Sequence, residues 1–196
     1  MGGYHGSEYT FDHPNFKKAV GNTVEIDEVG IGGQSYYKHA KKKTKNEEGA
    51  TISNKTSVIG MIERGGDVKA IVIPDRTKET LLPIIYENVE PNSILMTDEL
   101  IAYQELDKKF EHYSVNHSAK EFVNKMAHTN GIENFWSHLK RGIDGIYHHV
   151  SSEHLQAYLD EFTLRFNTRK FETQPRFDFV LSGIAGKKLT YKKLIK

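Results

Sequence analysis

The chain has 196 residues, a net charge of +1 and no cysteine, with 37% hydrophobic and 27% charged residues. This composition predicts one domain and excludes disulfides, thiolate zinc sites and cysteine nucleophiles, so any metal must be held by carboxylates, histidines or carbonyls. No apolar run approaches the ~20 residues of a membrane helix and the first residues lack a signal-peptide pattern, so we expect a cytoplasmic protein.

The predicted elements alternate between strands and helices after an irregular lead-in at residues 1–21. Alternating apolar residues predict a first strand over residues 23–31, and two apolar runs joined by Gly65-Gly66 predict a β-hairpin. Further on, the pattern predicts a helix at 78–89 with Pro83 in its first turn, strands at 93–98 and 111–116, and helices at 100–110, 131–141 and 152–169. This order predicts an α/β fold with a mixed sheet of about five strands flanked by helices.

Three acids lie where such a sheet can bring side chains together. Asp27 lies within the first strand, Asp98 at the end of a later strand, and Glu133 at the start of a helix. An acid among apolar residues is costly to bury without a partner, and a divalent cation is one such partner. Carboxylate clusters that hold two metal ions serve phosphodiester chemistry, so the three acids are candidate ligands.

Each acid also has a structural interpretation. Asp27 could face solvent on an edge strand, with Glu25 or Glu28 as the functional acid instead. Asp98 could cap the following helix, and Glu133 could form a capping box with Asn130. The helix that follows favours a functional site, because Glu133 and Lys140 fall on one face two turns apart. In such a site the acid could bind a metal ion and the lysine could bind a phosphate. The alternative is an ordinary pair of surface charges.

Basic residues are concentrated in two blocks that could bind a phosphate backbone or simply be solvated. The first block, residues 38–45, contains five lysines and no acid: Lys38, Lys41, Lys42, Lys43 and Lys45. The second block, residues 163–196, contains nine basic residues, among them Arg165, Arg169 and Lys170, against Glu172 and Asp178. A metal site at His148, His149 and His154 is less favoured than DNA contact or packing. The stripe of Tyr158, Phe162 and Phe166 predicts core packing.

Several stretches together resemble the DDE transposases of bacterial insertion sequences, in the Merlin-related, ISXO2-like branch. The resemblance covers about residues 22–170. Its longest block is His128-Thr129-Asn130-Gly131-Ile132-Glu133-Asn134-Phe135-Trp136-Ser137-His138-Leu139-Lys140-Arg141-Gly142-Ile143. Shorter matches are Val24-Glu25-Ile26-Asp27-Glu28, Thr97-Asp98-Glu99-Leu100-Ile101-Ala102-Tyr103, Tyr147-His148-His149-Val150-Ser151 and Arg165-Phe166-Asn167.

The resemblance implies a ribonuclease-H-like catalytic domain over residues 22–170, followed by a basic tail at 171–196. It implies Asp27, Asp98 and Glu133 as ligands of two Mg²⁺ or Mn²⁺ ions, with Asn130 as the alternative third ligand. It also implies that Lys140, with Arg141 beside it, contacts DNA. The implied reaction is strand cleavage by water at transposon ends, then attack of the freed 3′-hydroxyl on target DNA.

The resemblance further implies a homo-oligomeric complex with DNA in a bacterial cytoplasm, associated with the nucleoid. Such transposases usually carry an amino-terminal zinc ribbon or helix-turn-helix that recognises the element ends. This chain reaches its first strand almost at once and has no cysteine, so we expect a fragment or a degenerate copy. Two alternatives stay open: a ribonuclease-H-like nuclease that only hydrolyses, and a non-catalytic DNA-binding relic of a transposase.

Overall fold

A mixed five-stranded sheet forms the centre of the computed structural model. The structure describes residues 22–32, 55–98, 103, 106, 109–114 and 128–184. Its strands are β1 (Thr23–Ile31), β2 (Thr56–Glu63), β3 (Val68–Ile73), β4 (Ile94–Thr97) and β5 (Glu111–Ser114), in the order β3-β2-β1-β4-β5. The three strands β1, β2 and β3 pair antiparallel, whereas β4 pairs parallel with both β1 and β5. This arrangement confirms the predicted α/β, ribonuclease-H-like fold.

Four α-helices are found within the described residues. They are α1 (Lys78–Asn88), α2 (Asn130–Gly142), α3 (Leu155–Asn167) and α4 (Thr173–Ile184). A π-helical turn, Ile143–Tyr147, extends α2. Pro83 lies in the second turn of α1 rather than the first, and the helix is retained because Leu81, Leu82 and Ile85 bury its inner face.

Two parts of the chain differ from the sequence prediction or fall outside the described residues. The helix α4 was not predicted, since residues 171–184 show little periodicity. Of the predicted helix at 100–110, Tyr103 and Leu106 lie in buried 3₁₀ turns, and residues 100–102, 104, 105, 107 and 108 lie outside the described part. None of the helices in the described ranges is long and apolar enough to cross a membrane.

The sheet separates two hydrophobic cores, and β1 contributes to both because its side chains alternate. Val24 and Ile26 pack with α1 on one face, whereas Val29 and Ile31 pack with α2 and α3 on the other. This alternation leaves Glu25 and Asp27 on the face that α2 covers. Burying each large apolar side chain contributes about 1.5–3 kcal/mol, so the core that contains Val29 and Ile31 fixes α2 firmly over β1.

Two side-chain amides of α3 occupy the hydrogen-bonding edge of β3. Asn167 accepts a bond from the Val68 N–H (2.8 Å) and donates to the Val68 carbonyl (3.0 Å). Gln156 accepts from the Val72 N–H (2.9 Å) and donates to the Ala70 carbonyl (3.1 Å). An edge strand otherwise presents unpaired backbone groups to other chains, and α3 satisfies them here.

Candidate active site

The helix α2 runs along β1 in the same direction, and three contacts along its length show this. At the start, Gly131 donates its N–H to Glu25. In the middle, the Trp136 indole reaches Asp27. At the end, Lys140 lines a cavity together with the last residues of β1. Gly131, Trp136 and Lys140 of α2 therefore lie beside successive positions along the strand.

Glu25 binds the amino-terminal end of α2. One carboxylate oxygen, Oε2, accepts the N–H groups of Gly131 (2.7 Å) and Ile132 (3.1 Å), which are unsatisfied within the helix itself. The other oxygen, Oε1, accepts from Arg64 Nε at 2.9 Å, and Arg64 also donates to the His128 carbonyl. Glu25 is 1% exposed, so this buried anion is paired both with a guanidinium and with the positive end of the helix.

Glycine at position 131 makes the close approach to Glu25 possible. A Cβ there would lie 2.8 Å from Glu25 Oε2. On the neighbouring strand, a Cβ at Gly60 would lie 2.4 Å from the Trp136 ring. The two glycines therefore let the helix pack directly against the backbone of the sheet beside the acids.

Asp27 is held by two donors and lies close to two other acids. The Glu28 N–H donates to Oδ1 at 2.8 Å, and the Trp136 Nε1–H donates to Oδ2 at 3.0 Å. Burial raises the pKa of Asp27, and the negative charges of Asp98 and Glu133 raise it further, whereas the two hydrogen bonds act in the opposite direction. Three carboxylates from β1, from the end of β4 and from α2 thus repel one another in one region.

The parallel register explains why Asp98 lies beside Asp27. Glu25 pairs with Met96 in adjacent strands, and two residues further along each strand come Asp27 and Asp98. Side chains two apart on a strand point to the same face. The predicted proximity of these two acids follows from this topology, and the electrostatic effect of Asp98 on Asp27 agrees with it.

The third predicted ligand and its alternative both lie in the exposed first turn of α2. Glu133 Oε1 accepts a hydrogen bond from the hydroxyl of Thr129, the residue before the helix, at 3.1 Å. Asn130 is the first helical residue and is exposed. The predicted capping box between Asn130 and Glu133 is therefore not formed: the N-cap residue is Thr129, and its hydroxyl bonds the Glu133 side chain rather than a backbone N–H of the helix. The charge of Glu133 contributes to the raised pKa of Asp27, after burial and Asp98.

Glu28 is a fourth acid in this region, weighed from the sequence only as a substitute for Asp27. It is buried, and its Oε1 has no hydrogen-bond partner in the structure. Burial and the charges of Asp98 and Asp27 raise its pKa to about 8, against the lowering effect of Arg76. The alternation of β1 in the sequence already places Glu28 on the opposite face of the strand from Glu25 and Asp27. This alternation was the signal that could have identified Glu28 as a separate buried acid.

The carboxylates of Asp27, Asp98 and Glu133 are suitable ligands for a hard divalent cation, although the described residues contain no preformed metal site. Within the described ranges, no group of three histidine or acidic side chains is positioned to hold a metal ion. Burial, and then the charges of neighbouring acids, raise the pKa of both Asp27 and Glu28, and a bound cation would lower both pKa values. Carboxylate oxygens are the ligands that Mg²⁺ and Mn²⁺ prefer.

The basic residues predicted to contact DNA fall into different environments. Lys140 and Arg141 are exposed near the end of α2. Arg165 instead pairs with Glu161 at 2.6 Å. Arg169 stacks on the Phe166 ring at 4.0 Å and donates to the Gly66 carbonyl, so it fastens α3 to the β2–β3 turn. Lys41, Lys42 and Lys43 lie outside the described residues.

The predicted packing of the aromatic stripe on α3 is found in the structure. Phe166 meets Phe135 edge to face at 5.6 Å, and Tyr158 meets Tyr147 at 4.6 Å. Phe162 packs against the same core. The neighbouring His148, His149 and His154 are all exposed.

Comparison with known proteins agrees with this geometry. Residues 19–167 match the ISXO2-like transposase domain. An uncharacterized transposase-like protein of Haemophilus influenzae (strain ATCC 51907 / DSM 11121 / KW20 / Rd) is 40% identical over 108 residues, which are 55% of this chain and 86% of that protein. The match to the domain family spans most of the chain and includes Asp27, Asp98 and Glu133. The chain belongs to the family of ISXO2-like transposase domains.

Proposed function

We propose that this chain is a metal-dependent DDE transposase domain that cleaves DNA at transposon ends and joins it to target DNA. The observation that carries the proposal is the convergence of three acids from separate elements. Burial is the main cause that raises the pKa of Asp27, and the charges of Asp98 and Glu133 raise it further. Placing carboxylates that repel one another in a partly buried position costs free energy unless they bind a cation. Such unfavourable arrangements are found mainly at catalytic sites.

Asp27 and Asp98 would hold two Mg²⁺ or Mn²⁺ ions together with Glu133, or with Asn130 in its place. When bound, the ions would stabilise the charges of the attacking and leaving oxygens at the phosphorus. Trp136 and the Glu28 N–H keep the Asp27 carboxylate in one orientation. Glu25 fixes the start of α2, which carries both candidates for the third ligand.

The proposed reaction has two displacements at phosphorus. In the first, water attacks the phosphodiester, the P–O3′ bond breaks, and the 3′-oxygen leaves and takes up a proton. In the second, this 3′-hydroxyl loses its proton and attacks a target phosphodiester, whose own 3′-oxygen leaves. Lys140, two turns beyond Glu133 on α2, supports this proposal as a group for binding phosphate. A homo-oligomer would be needed to hold two transposon ends.

Cleavage and joining are tested separately. A labelled duplex with a recessed 3′-hydroxyl is incubated with supercoiled plasmid in Mn²⁺, and both nicked plasmid and label joined to plasmid are measured. Asp27→Asn should abolish both products. Of Glu133→Gln and Asn130→Ala, the one that replaces the third ligand should also abolish both products. Glu153→Gln, an exposed acid in the turn before α3, is the matched control and should retain activity.

The alternatives give different results in the same assay. Nicking without joining, lost in Asp27→Asn, would indicate a nuclease that only hydrolyses. The catalytic proposal is wrong if neither product forms and if Mn²⁺ raises the melting temperature of the wild type by no more than it raises that of Asp27→Asn. Binding of duplex DNA in that case would indicate the non-catalytic relic.

A further inference from the structure

The edge strand β5 buries little apolar surface. Among the described residues, neither hydrophobic core includes a residue of this strand, Glu111–Ser114, and Tyr113 is 39% exposed. A strand of this kind gains little free energy from the hydrophobic effect, which is proportional to the apolar area removed from water. The contribution of β5 therefore lies in its backbone pairing with β4 and in its polar side chains.

Two polar side chains of β5 lie beside the end of β4. In the parallel register, Leu95 pairs with His112 and Thr97 pairs with Ser114. Paired residues, and residues two apart on one strand, share a face of the sheet. Leu95 belongs to the core that α1 covers. Thr97 and both polar side chains of β5 therefore lie on the face that α1 covers, which is opposite to the face of Asp27.

These side chains converge on the backbone carbonyl of Asp98. The Thr97 hydroxyl donates to that carbonyl at 2.8 Å, and the Ser114 hydroxyl donates to it at 3.1 Å. The Thr97 oxygen also lies 2.8 Å from His112 Nε2. Because the Thr97 proton is used in the bond to the carbonyl, Nε2 carries the proton of the bond between His112 and Thr97. We call Thr97, His112 and Ser114 the β4–β5 network.

The network fixes the backbone at the point where a strand ends. Asp98 is the first residue beyond β4, so it follows the last pair of the ladder with β5. A carbonyl oxygen has two lone pairs, and the two hydroxyls supply a donor for each. Thr97 is 0% exposed, so its hydroxyl would cost free energy without hydrogen-bond partners. The backbone of Asp98 is thus held by side chains where the regular pairing of the sheet stops.

The network holds Asp98 from the face opposite to the acids, so its side chains do not compete with a cation for the Asp98 carboxylate. We propose that the residues of the β4–β5 network are positioning residues, which fix the direction of the Asp98 carboxylate in the metal site. This inference rests on the proposed function, in which Asp98 is a metal ligand. Groups that orient metal ligands typically contribute about 10–100-fold to metal affinity or activity.

Calorimetric titration with Mn²⁺ tests the network without requiring cleavage. Thr97→Val removes the hydroxyl and keeps the branched shape of the side chain, so the Mn²⁺ affinity should fall by about 10–100-fold. Thr97→Ser keeps the hydroxyl and loses a methyl group, so it should recover most of the affinity. Loss of affinity in both variants would show that packing of the methyl group matters rather than the hydrogen bonds, and would overturn the proposal.

The matched control is Thr168→Val. Thr168 is 1% exposed, and its hydroxyl donates to the Leu164 carbonyl at 2.7 Å at the end of α3. The same chemical change is thus made in an equally buried threonine that does not contact the acids. Both Val variants should lower the melting temperature, because each leaves a carbonyl with one donor fewer. Only Thr97→Val should weaken Mn²⁺ binding, and Thr168→Val should bind Mn²⁺ as the wild type does.

The two members of the network on β5 are tested with variants that should fold, since Ser114 is exposed and His112 is half-buried. Ser114→Ala should weaken Mn²⁺ binding less than Thr97→Val does, because the bond from Ser114 to the Asp98 carbonyl is the longer of the two. His112→Leu removes the donor to Thr97 and should also weaken Mn²⁺ binding. His112→Gln retains an N–H donor and should restore it.

Two further measurements separate positioning from stability. The NMR order parameter of the Asp98 amide should be about 0.85 in the wild type and in Thr168→Val, and should fall towards about 0.6 in Thr97→Val. In the cleavage assay, Thr97→Val should be slow at low Mn²⁺ and should recover as Mn²⁺ is raised, with an unchanged dissociation constant for DNA. An order parameter in Thr97→Val equal to that of the wild type would contradict the proposal.

Failure of this inference and failure of the proposed function give different results. If the wild type binds Mn²⁺ and Asp98→Asn does not, but Thr97→Val binds Mn²⁺ as tightly as Thr168→Val, the network contributes to stability alone and the positioning role is overturned. If the wild type binds Mn²⁺ no more tightly than Asp98→Asn does, both with and without duplex DNA, the proposed function is wrong and the positioning role is rejected with it.

Discussion

Replacing Glu25 removes the contact that fixes the start of α2. Glu25→Gln keeps an oxygen for the N–H groups of Gly131 and Ile132, but it loses the charge that pairs with Arg64 at 2.9 Å. The Glu25 side chain is 2% exposed and that of Arg64 is 24% exposed, so solvent screens the pair weakly. Breaking a buried ion pair by removing one partner costs about 3–5 kcal/mol. We expect about 2–3 kcal/mol for Glu25→Gln, since part of the site is retained, and about 3–5 kcal/mol for Glu25→Ala.

Denaturant unfolding measures this loss, with Glu87→Gln on the exposed face of α1 as the matched control. The control should stay within about 0.5 kcal/mol of the wild type. Arg64→Met, alone and combined with Glu25→Gln, completes a double-mutant cycle, in which we expect a coupling energy of about 1–3 kcal/mol. A coupling near zero, or a Glu25→Gln protein as stable as the control, would refute the reasoning.

Activity distinguishes a positioning role for Glu25 from a purely structural one. At a temperature where Glu25→Gln is fully folded, the DNA dissociation constant should be unchanged, because Glu25 is buried away from DNA. The cleavage rate should fall on the order of 10²-fold, the effect of a misplacement of about 1 Å at a reacting group. Equal cleavage rates at full occupancy would show that Glu25 contributes to stability alone.

Three further substitutions test separate parts of the structure. Trp136→Phe removes one donor to Asp27, so the pKa of Asp27 should rise further and Mn²⁺ should bind more weakly, as measured by calorimetry at pH 6 and pH 8. Glu28→Gln replaces a carboxyl whose pKa is raised to about 8. Between pH ~4.5 and ~8 the native state binds more protons than the unfolded state, so the free energy of unfolding of the wild type should fall by up to a few kcal/mol as the pH rises through that window. The variant should lack this pH dependence in unfolding experiments without metal. Asn167→Ala leaves the buried N–H and carbonyl of Val68 without partners and should cost about 2–4 kcal/mol, more than Gln156→Ala at the less buried part of the same edge.

The order of the elements from β1 to α3 was predictable because most of them carry a local signal. The alternation of β1, the turn between β2 and β3, and the spacing of α2 and α3 are all visible in short windows of sequence. The parallel pairing of β1 with β4, which brings Asp98 beside Asp27, follows once that order is known. The helix α4 was missed because its apolar residues, such as Phe177 and Leu181, remain exposed and form no clear stripe.

The supporting contacts of the site were not predictable in the same way. Glu25 and Gly131 are 106 residues apart, and no local pattern distinguishes Glu25 from Asp27 as the acid that binds the helix. The resemblance included Asn167 but gave no reason for it. Its role depends on which strand lies at the edge of the sheet and on which helix covers that edge, and both are properties of the complete fold.

The contacts of α2 also limit how a metal site could form. Glu25 holds the start of the helix and Trp136 its middle, while Gly60 admits the indole ring directly against β2. Packed elements of this kind do not slide continuously, because any shift would separate close contacts along the whole helix. Closer approach of Glu133 to Asp27 must therefore come from rotation of the exposed Glu133 side chain rather than from movement of α2. A substitution at Glu133 should consequently alter metal affinity with little effect on stability, whereas one at Glu25 should alter stability and cleavage together.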